Sequence, residues 1–288
     1  MSGGRNHNAK KLHSQYFTSH DDAIRVLDCI EHQWGPMDRP RVLEPAVGAG
    51  AFIRAARECY PDWEWVTNEL FPENNNFEPD YVEDFAQLSP ATVGPIDLVV
   101  TNPPWSGTVK TSTGRVDLGS FFINRCLEFA DKAALILPAI YLRPRFLQKL
   151  EFAKVVGWTD PAVSSFAAGR EEKRVKTSIM LFERTSKNEP KLLTSDVEGF
   201  AFAANYDEAT HAICLWGNAG ETRAINGMWG RLEPWTCETP VIITSPQIEH
   251  WLADNGLIEA VQEMASLNTN GLSEAEVIHY INEGFNAH

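Results

Sequence analysis

The chain lacks any run approaching the roughly 18 consecutive apolar residues that a membrane-spanning helix needs, so no membrane partner is expected. Residues 1–15 hold no apolar segment of the kind a secretion signal requires. The expectation is a soluble protein in the cytoplasm of a prokaryote or of a phage-infected cell. Cysteine is scarce: Cys29, Cys59, Cys126, Cys214 and Cys237 are all there is, with no CxxC pair and no Cys/His group at zinc spacing. That argues against a structural metal or a redox pair and for reduced thiols used in packing. Base is nearly missing from the last third, where residues 188–288 carry 3 Lys+Arg against 15 Asp+Glu. Such a segment repels phosphates and has few counterions to displace from a nucleic acid. There is also no internal repeat and no low-complexity tract.

What is present is a chain of 288 residues with 43% hydrophobic and 22% charged residues, enough to bury an ordinary core. The net charge of −14 is unevenly spread. Residues 1–187 carry 22 basic and 24 acidic side chains, and the stretch from Trp105 to Lys187 carries 14 and 8. A basic middle therefore precedes an acidic tail. The chain divides into three segments: a flexible arm over 1–15, a main domain over 16–187, and an acidic domain over 188–288 that serves recognition or partner binding. The polar run Ser186-Lys187-Asn188-Glu189-Pro190 marks the second boundary.

Apolar Ala23, Val26, Leu27 and Ile30 at helical spacing predict a helix from about His20 to Gln33, stopped by Gly35 and Pro36. Short strands are expected at Arg41–Glu44, Trp63–Asn68, Ile96–Thr101, Ala133–Leu137 and Thr177–Glu183, with helices from Ala51, over Ser120–Ala130 and near Ser273–Glu283. Strands separated by helices predict an α/β fold with a parallel or mixed sheet covered on both faces. A small α+β appendage is expected at the C-terminus. In such sheets ligands bind beyond the carboxyl ends of the strands.

Two motifs lie there. In Leu43-Glu44-Pro45-Ala46-Val47-Gly48-Ala49-Gly50-Ala51-Phe52 a strand ends, two glycines permit a tight turn, and a helix begins. The helix start offers N–H groups to an anion. The third glycine of a dinucleotide fingerprint and the lysine of a P-loop are absent, which favours a ligand with one carboxylate and an adenosine. Glu69, closing the second strand, stands where ribose hydroxyls are held. Asp84 is a candidate for an adenine amino group and Phe85 for stacking on the ring. The second motif is Asn102-Pro103-Pro104-Trp105. Two prolines fix two φ angles and remove two donors, leaving a stiff turn that presents carbonyls. Asn102 adds an acceptor, and Trp105 adds a flat face. Acceptors that hold the hydrogens of a conjugated amino group let its nitrogen pyramidalise and stabilise the charge that develops on it. Orientation supplies the rest, with no tuned general base.

These residues resemble the S-adenosylmethionine-dependent amino-methyltransferases of DNA, adenine-N6 type, in the order with the cofactor motif first. Leu43–Phe52 is similar to their LEPxxGxGxF element, and Asn102–Trp105 to their Asn/Asp-Pro-Pro-aromatic element. Gln15-Tyr16-Phe17-Thr18 resembles the N-terminal element that touches the methionine end of the cofactor. The resemblance covers about residues 14–185. It implies a Rossmann-like class I methyltransferase fold with a seven-stranded, mostly parallel sheet. It also implies S-adenosyl-L-methionine as cofactor, held near Tyr16, Phe17, Thr18, Glu44, Pro45, Ala46, Gly48, Gly50, Phe52, Glu69, Asp84, Phe85 and Asn102. DNA would be the partner, with the target base flipped out of the duplex and stacked on Trp105. Asn102 and the Pro103 carbonyl would accept from its amino group. The same likeness implies a setting in restriction-modification or in phage.

Ser19 stands where the family usually has proline, and Trp105 replaces the commoner Tyr or Phe. The larger departure is the acidic tail, where relatives often carry a basic recognition domain. Phosphate contacts are therefore expected at Lys110 and Arg115 in the Ser106–Gly119 loop, at Arg143, Arg145 and Lys149, and at Arg170, Lys173, Arg174 and Lys176. The same tetrapeptide also occurs in enzymes acting on RNA bases and on protein glutamine amides, so RNA and protein substrates stay open. A catalytically inactive binding subunit, with the tail as a protein-binding surface, is a further alternative.

Overall fold

The computed structural model describes residues 18–72, 77–105, 107–111, 114–147, 150–160, 162–168, 171–186, 196–204, 207–214, 222–224, 238–254, 257 and 272–286. Helix α1 (His20–Trp34) begins where Ser19 Oγ accepts from the Asp22 N–H at 3.1 Å. Asp21 and Asp22 complement its positive end, and Gly35, at φ +74°, stops it. Ala23, Val26, Leu27 and Ile30 are fully buried. Next in the chain come β1 (Arg41–Glu44), α2 (Ala51–Cys59), β2 (Glu64–Thr67), α3 (Pro90–Val93), β3 (Leu98–Thr101), β4 (Thr108–Thr111), β5 (Gly114–Asp117), α4 (Leu118–Phe129) and β6 (Lys132–Pro138). The main unit ends with β7 (Ala153–Trp158), β8 (Ala162–Ala168) and β9 (Glu171–Arg184).

The main sheet runs β2-β1-β3-β6-β9-β7. β2, β1, β3 and β6 are mutually parallel, and β9 is antiparallel to both β6 and β7. The architecture is thus a Rossmann-like α/β sheet of mixed direction, as expected for a class I methyltransferase fold. β3 is buried along its whole length and β6 at all but its two end residues, the pattern of strands covered on both faces. Helices α1 and α4 lie against β6 and β9, and α1 also packs on α2.

The strand count is reached differently from the expectation. Six strands cross the sheet, and the seventh, β8, continues along β9 on the side that β7 occupies, since Thr177 pairs with Pro138 on one flank and Ala162 on the other. Beyond β2, among the described residues, there is a single parallel bridge, Asn68 to Tyr81, in place of a further strand. The Ser106–Gly119 segment, expected as a loop, contains the β4–β5 hairpin. Its two valines alternate with Thr, Lys, Arg and Asp, a short period-two pattern masked by polar, Gly-containing composition.

A second compact unit comprises residues 142–148 and 189–288. It contains a four-stranded antiparallel sheet of β10 (Phe200–Phe202), β13 (Glu238–Ile243), β11 (His211–Cys214) and β12 (Thr222–Ala224), in that order. It also contains α5 (Pro144–Leu147), α6 (Pro246–Ala253) and α7 (Glu274–Asn286). The unit is thus an α+β appendage. Its two chain segments meet in a buried ion pair. Arg143 Nε and Nη2 donate to Glu276 Oε1 and Oε2 at 2.9 and 2.6 Å, and Ser273 donates its N–H and hydroxyl to Oε2 at 2.9 and 2.8 Å. Burial pushes the Glu276 carboxyl up, but Arg143 and Ser273 outweigh it and hold the group below the usual carboxylate range. Among the described residues no helix is long and apolar enough to cross a membrane.

Glu276→Ala strands a buried guanidinium, so it should cost about 3–5 kcal/mol in urea denaturation. Because the folded-state pKa of Glu276 is depressed, its contribution is present above the ordinary carboxylate range and is lost as pH falls through the lowered value. The substitution should therefore hurt stability at pH 7 more than in strong acid.

Candidate active site

The carboxyl ends of β1, β2 and β3 build the site. β1 ends in Glu44, 1% exposed. Its Oε1 accepts from the Ala46 N–H at 3.3 Å, while Oε2 is buried with no hydrogen-bond partner among the described residues. Burial lifts this carboxyl to about 8; the Thr101 hydroxyl and the Ala46 N–H oppose the rise, and Glu69 adds to it. Thr101 lies close by at the end of β3, yet its own hydroxyl also falls outside hydrogen-bonding geometry. At the carboxyl ends of two adjacent strands, these buried polar atoms are thus left without a partner among the described residues, which is costly unless something else meets them.

The chain then turns through the glycine loop, where the Gly50 N–H donates to the Val47 carbonyl at 2.8 Å. Gly48 and Gly50 have φ of +51° and +77°, the left-handed region that glycine tolerates. At Gly50 a Cβ would also lie 2.5 Å from the Phe77 ring, whereas at Gly48 it would enter open space. Gly50 N-caps α2, so the first N–H groups of that helix open toward the loop. Phe52 is buried behind it.

Two residues after β2 hold the loop in place. Glu69 accepts from the Gly48 N–H at 2.9 Å and from the Phe71 N–H at 3.1 Å. Asn68 donates to the carbonyls of Pro45 and Glu83, both at 3.0 Å, and accepts from the Glu83 N–H at 3.1 Å. Asn68 does not stand out in the sequence; an asparagine at a strand end carries no mark distinguishing it from a turn residue.

β3 delivers Asn102, which is buried and donates from Nδ2 to Thr18 Oγ1 at 3.0 Å. One pocket is lined by Thr18, Glu44, Ala46, Gly48, Phe52 and Asn102 among others. The structure therefore brings the glycine loop, the tetrapeptide and the end of the N-terminal element together. Pro103 is buried and Pro104 half-buried.

Other expected residues are placed differently. Trp105 is 8% exposed, and its indole N–H donates to the Ile136 carbonyl at 3.1 Å. A buried indole needs such a partner, so the ring braces the tetrapeptide on β6 instead of standing open for a base. Phe85 is in the core, 5.2 Å from Phe129 and 5.3 Å from Phe122 between ring centroids, and does not offer an open stacking face. Its large apolar surface is better satisfied there. Asp84 is exposed and accepts from the Ala86 N–H at 3.0 Å as a turn residue.

Arg143, expected at a phosphate, is 2% exposed and engaged by Glu276; the acidic tail supplies the counterion that the sequence alone assigns to nucleic acid. Lys110 and Arg115 are exposed, and Lys176 is half-buried in register with Val163. Tyr16, Phe17, Lys149 and Arg170, with the side chains of Arg145, Lys173 and Arg174, lie outside the described residues. Among the described residues no group of three His, Cys, Asp or Glu is placed to hold a metal ion.

No family model matches the chain, and no curated protein matches it by sequence. Solved structures do resemble its fold. A modification subunit of a provisionally described type I restriction enzyme from Vibrio vulnificus aligns at 16% identity and TM-score 0.45, over 60% of this chain and 45% of that one. A protein provisionally described as an RNA methyltransferase, from Pyrococcus horikoshii, aligns at 16% identity and TM-score 0.45, over 64% and 93%. A type I restriction-modification methyltransferase subunit from Streptococcus thermophilus aligns at 12% identity and TM-score 0.43, over 59% and 45%. This chain thus spans less than half the length of either restriction subunit. At these identities and scores the likenesses describe the course of the backbone and assign no activity.

A raised Glu44 pKa means that the folded protein keeps a proton the unfolded chain gives up between about pH 4.5 and 8. Stability must then fall as pH rises across that window. Glu44→Gln should raise the melting temperature of the unliganded protein at pH 8 and leave it nearly unchanged at pH 4. Equal shifts at both values would mean that Glu44 is ionised in the fold.

Proposed function

We propose that the chain transfers a methyl group from S-adenosylmethionine to the N6 amino group of adenine in DNA, with the base rotated out of its duplex. The observation that carries this reading is the shared pocket, in which Asn102 of the tetrapeptide and Glu44 and Gly48 of the cofactor-type loop line one space. The residues suit that cofactor. Glu44 Oε2, buried without a partner, matches an ammonium, and the N–H groups at the start of α2 match a carboxylate. The bare face of Gly48 leaves room for the ligand backbone. Glu69, which accepts from the Gly48 N–H of the loop, is the acid assigned to the ribose hydroxyls. When bound, the cofactor supplies an electrophilic sulfonium methyl.

The chain's own work is to hold the acceptor nitrogen. The amide of Asn102 is tethered through Nδ2 to Thr18, so Oδ1 presents as an acceptor. The rigid Pro103 carbonyl is the second acceptor. Together they draw the two amino hydrogens out of the ring plane, which frees the nitrogen lone pair from conjugation, and they stabilise the charge that forms as nitrogen attacks. Trp105, bonded to Ile136, keeps the turn from moving.

Incubation with labelled cofactor and an adenine-containing duplex should give N6-methyladenine. Label appearing in RNA or in a protein glutamine amide instead would redirect the assignment, and label in none of the three would favour a binding subunit. Asn102→Ala should lower turnover by at least about a hundredfold, far more than it lowers cofactor affinity, and should cost about 1 kcal/mol of stability through the lost hydrogen bond to Thr18. A large loss of stability would make Asn102 structural.

Cofactor binding at pH 7 should also release about one proton, because an ammonium beside Glu44 ionises a carboxyl otherwise protonated up to about 8. Calorimetry in buffers of different ionisation enthalpy measures this, and Glu44→Gln should abolish it.

A further inference from the structure

The β4–β5 hairpin begins at Thr108, three residues after Trp105 closes the tetrapeptide. Its register pairs Thr108 with Asp117, Val109 with Val116, and Lys110 with Arg115. Residues directly opposite in an antiparallel pair project to the same face. One face thus carries the half-buried Val109 and Val116, and the other carries the exposed Lys110 and Arg115. Both strands lie against α4.

The charged pair is an unfavourable choice for the hairpin itself. Like charges directly opposite are destabilising, and a two-stranded ribbon has little stability of its own to lose. Neither Lys110 nor Arg115 makes an ion pair or hydrogen bond among the described residues. The acid closest to Arg115 along its own strand is Asp117, which forms no ion pair with it among the described residues; its carboxylate is drawn instead toward the start of α4. Its carboxylate accepts from the Ser120 N–H at 2.9 Å, from the Ser120 hydroxyl at 3.0 Å and from the Tyr141 hydroxyl at 2.8 Å. The same bonds anchor the foot of the hairpin to the start of α4, and the Leu118 N–H donates to the Gly107 carbonyl at 3.2 Å. An anchored ribbon therefore presents two cations side by side, without an ion-pair partner among the described residues, 8 and 13 residues after Asn102.

We propose that this hairpin is a phosphodiester clamp, with Lys110 and Arg115 jointly taking backbone phosphate of the strand that carries the target base. Arg offers a fork and Lys a point charge, a pairing suited to phosphate oxygens. Bound phosphate removes the repulsion between the two side chains, so the electrostatic strain of the free hairpin becomes binding energy. The proposal rests on the nucleic-acid substrate argued above, and the test separates the two.

Affinity of the full chain for a labelled DNA duplex is measured by fluorescence anisotropy across salt concentrations, for the wild type, for Lys110→Gln/Arg115→Gln, and for the charge-keeping Lys110→Arg. Two lost phosphate contacts should flatten the plot of log affinity against log salt by about 2. Between 50 and 200 mM salt the double variant should then lose about tenfold less affinity than the wild type. Lys110→Arg should keep the wild-type slope. The double variant should melt at or above the wild-type temperature, since it relieves repulsion. Salt-dependent binding with the same slope in both proteins overturns the clamp alone, as does a double variant that melts lower. Wild-type protein with no salt-dependent affinity for the duplex overturns the nucleic-acid reading itself.

Discussion

The lateral registry of three parallel strand ends is the constraint on which the site depends. β1 pairs with β2 from Arg41 opposite Glu64 to Glu44 opposite Thr67, and with β3 from Val42 opposite Leu98. A shift of one residue in either pairing would put the polar strand ends out of line with one another. In register, the apolar strands stop together, and their ends are polar: Glu44, Asn68, Glu69, Thr101 and Asn102, all buried. Polar burial of this density has to be offset. Asn68 and Glu69 are satisfied within the fold, and they direct their hydrogen bonds to the glycine loop. Glu44 Oε2 and Thr101 Oγ1 find no partner among the described residues. The same edge therefore contains a rigid scaffold and an unmet demand for a ligand, and the first makes the second tolerable.

That division explains which parts of the molecule were legible in the sequence. β1, β3 and β6 are runs of apolar residues ended by Glu, Thr and Pro, and their burial comes from being central in a covered sheet. Helix α1 shows its buried face through spacing alone. The glycine loop was legible because positive φ leaves few residue choices, and the tetrapeptide because adjacent prolines permit few shapes. Asn68 was not legible, since its role comes from three hydrogen bonds to two residues distant in the chain, Pro45 and Glu83. The hairpin was hidden because its pattern is four residues long on each strand. Phe85 and Trp105 show the opposite error. An aromatic residue beside a motif invites a ligand-stacking role, but a ring that finds other rings or a carbonyl within the core is already used.

The charge pattern makes the same point about context. A basic middle and an acidic tail suggested that the two act separately, the first on a polyanion and the second elsewhere. Arg143 shows that part of the division is internal, because one cation of the basic region is neutralised by Glu276 of the tail within a single unit. Arg41 and Arg125 are likewise absorbed, the first by carbonyls of Val93 and Pro95 and the second by those of Phe85 and Leu88. Counting basic residues therefore overstates the surface available to a phosphate. What matters is which cations the fold leaves without a counter-charge and what it costs to leave them so. Lys110 and Arg115 meet both conditions: they are exposed without partners among the described residues, and the register that aligns them makes each raise the energy of the other. A like-charged pair held in this way on an anchored hairpin is better explained by an anion that binds there than by the stability of the hairpin itself.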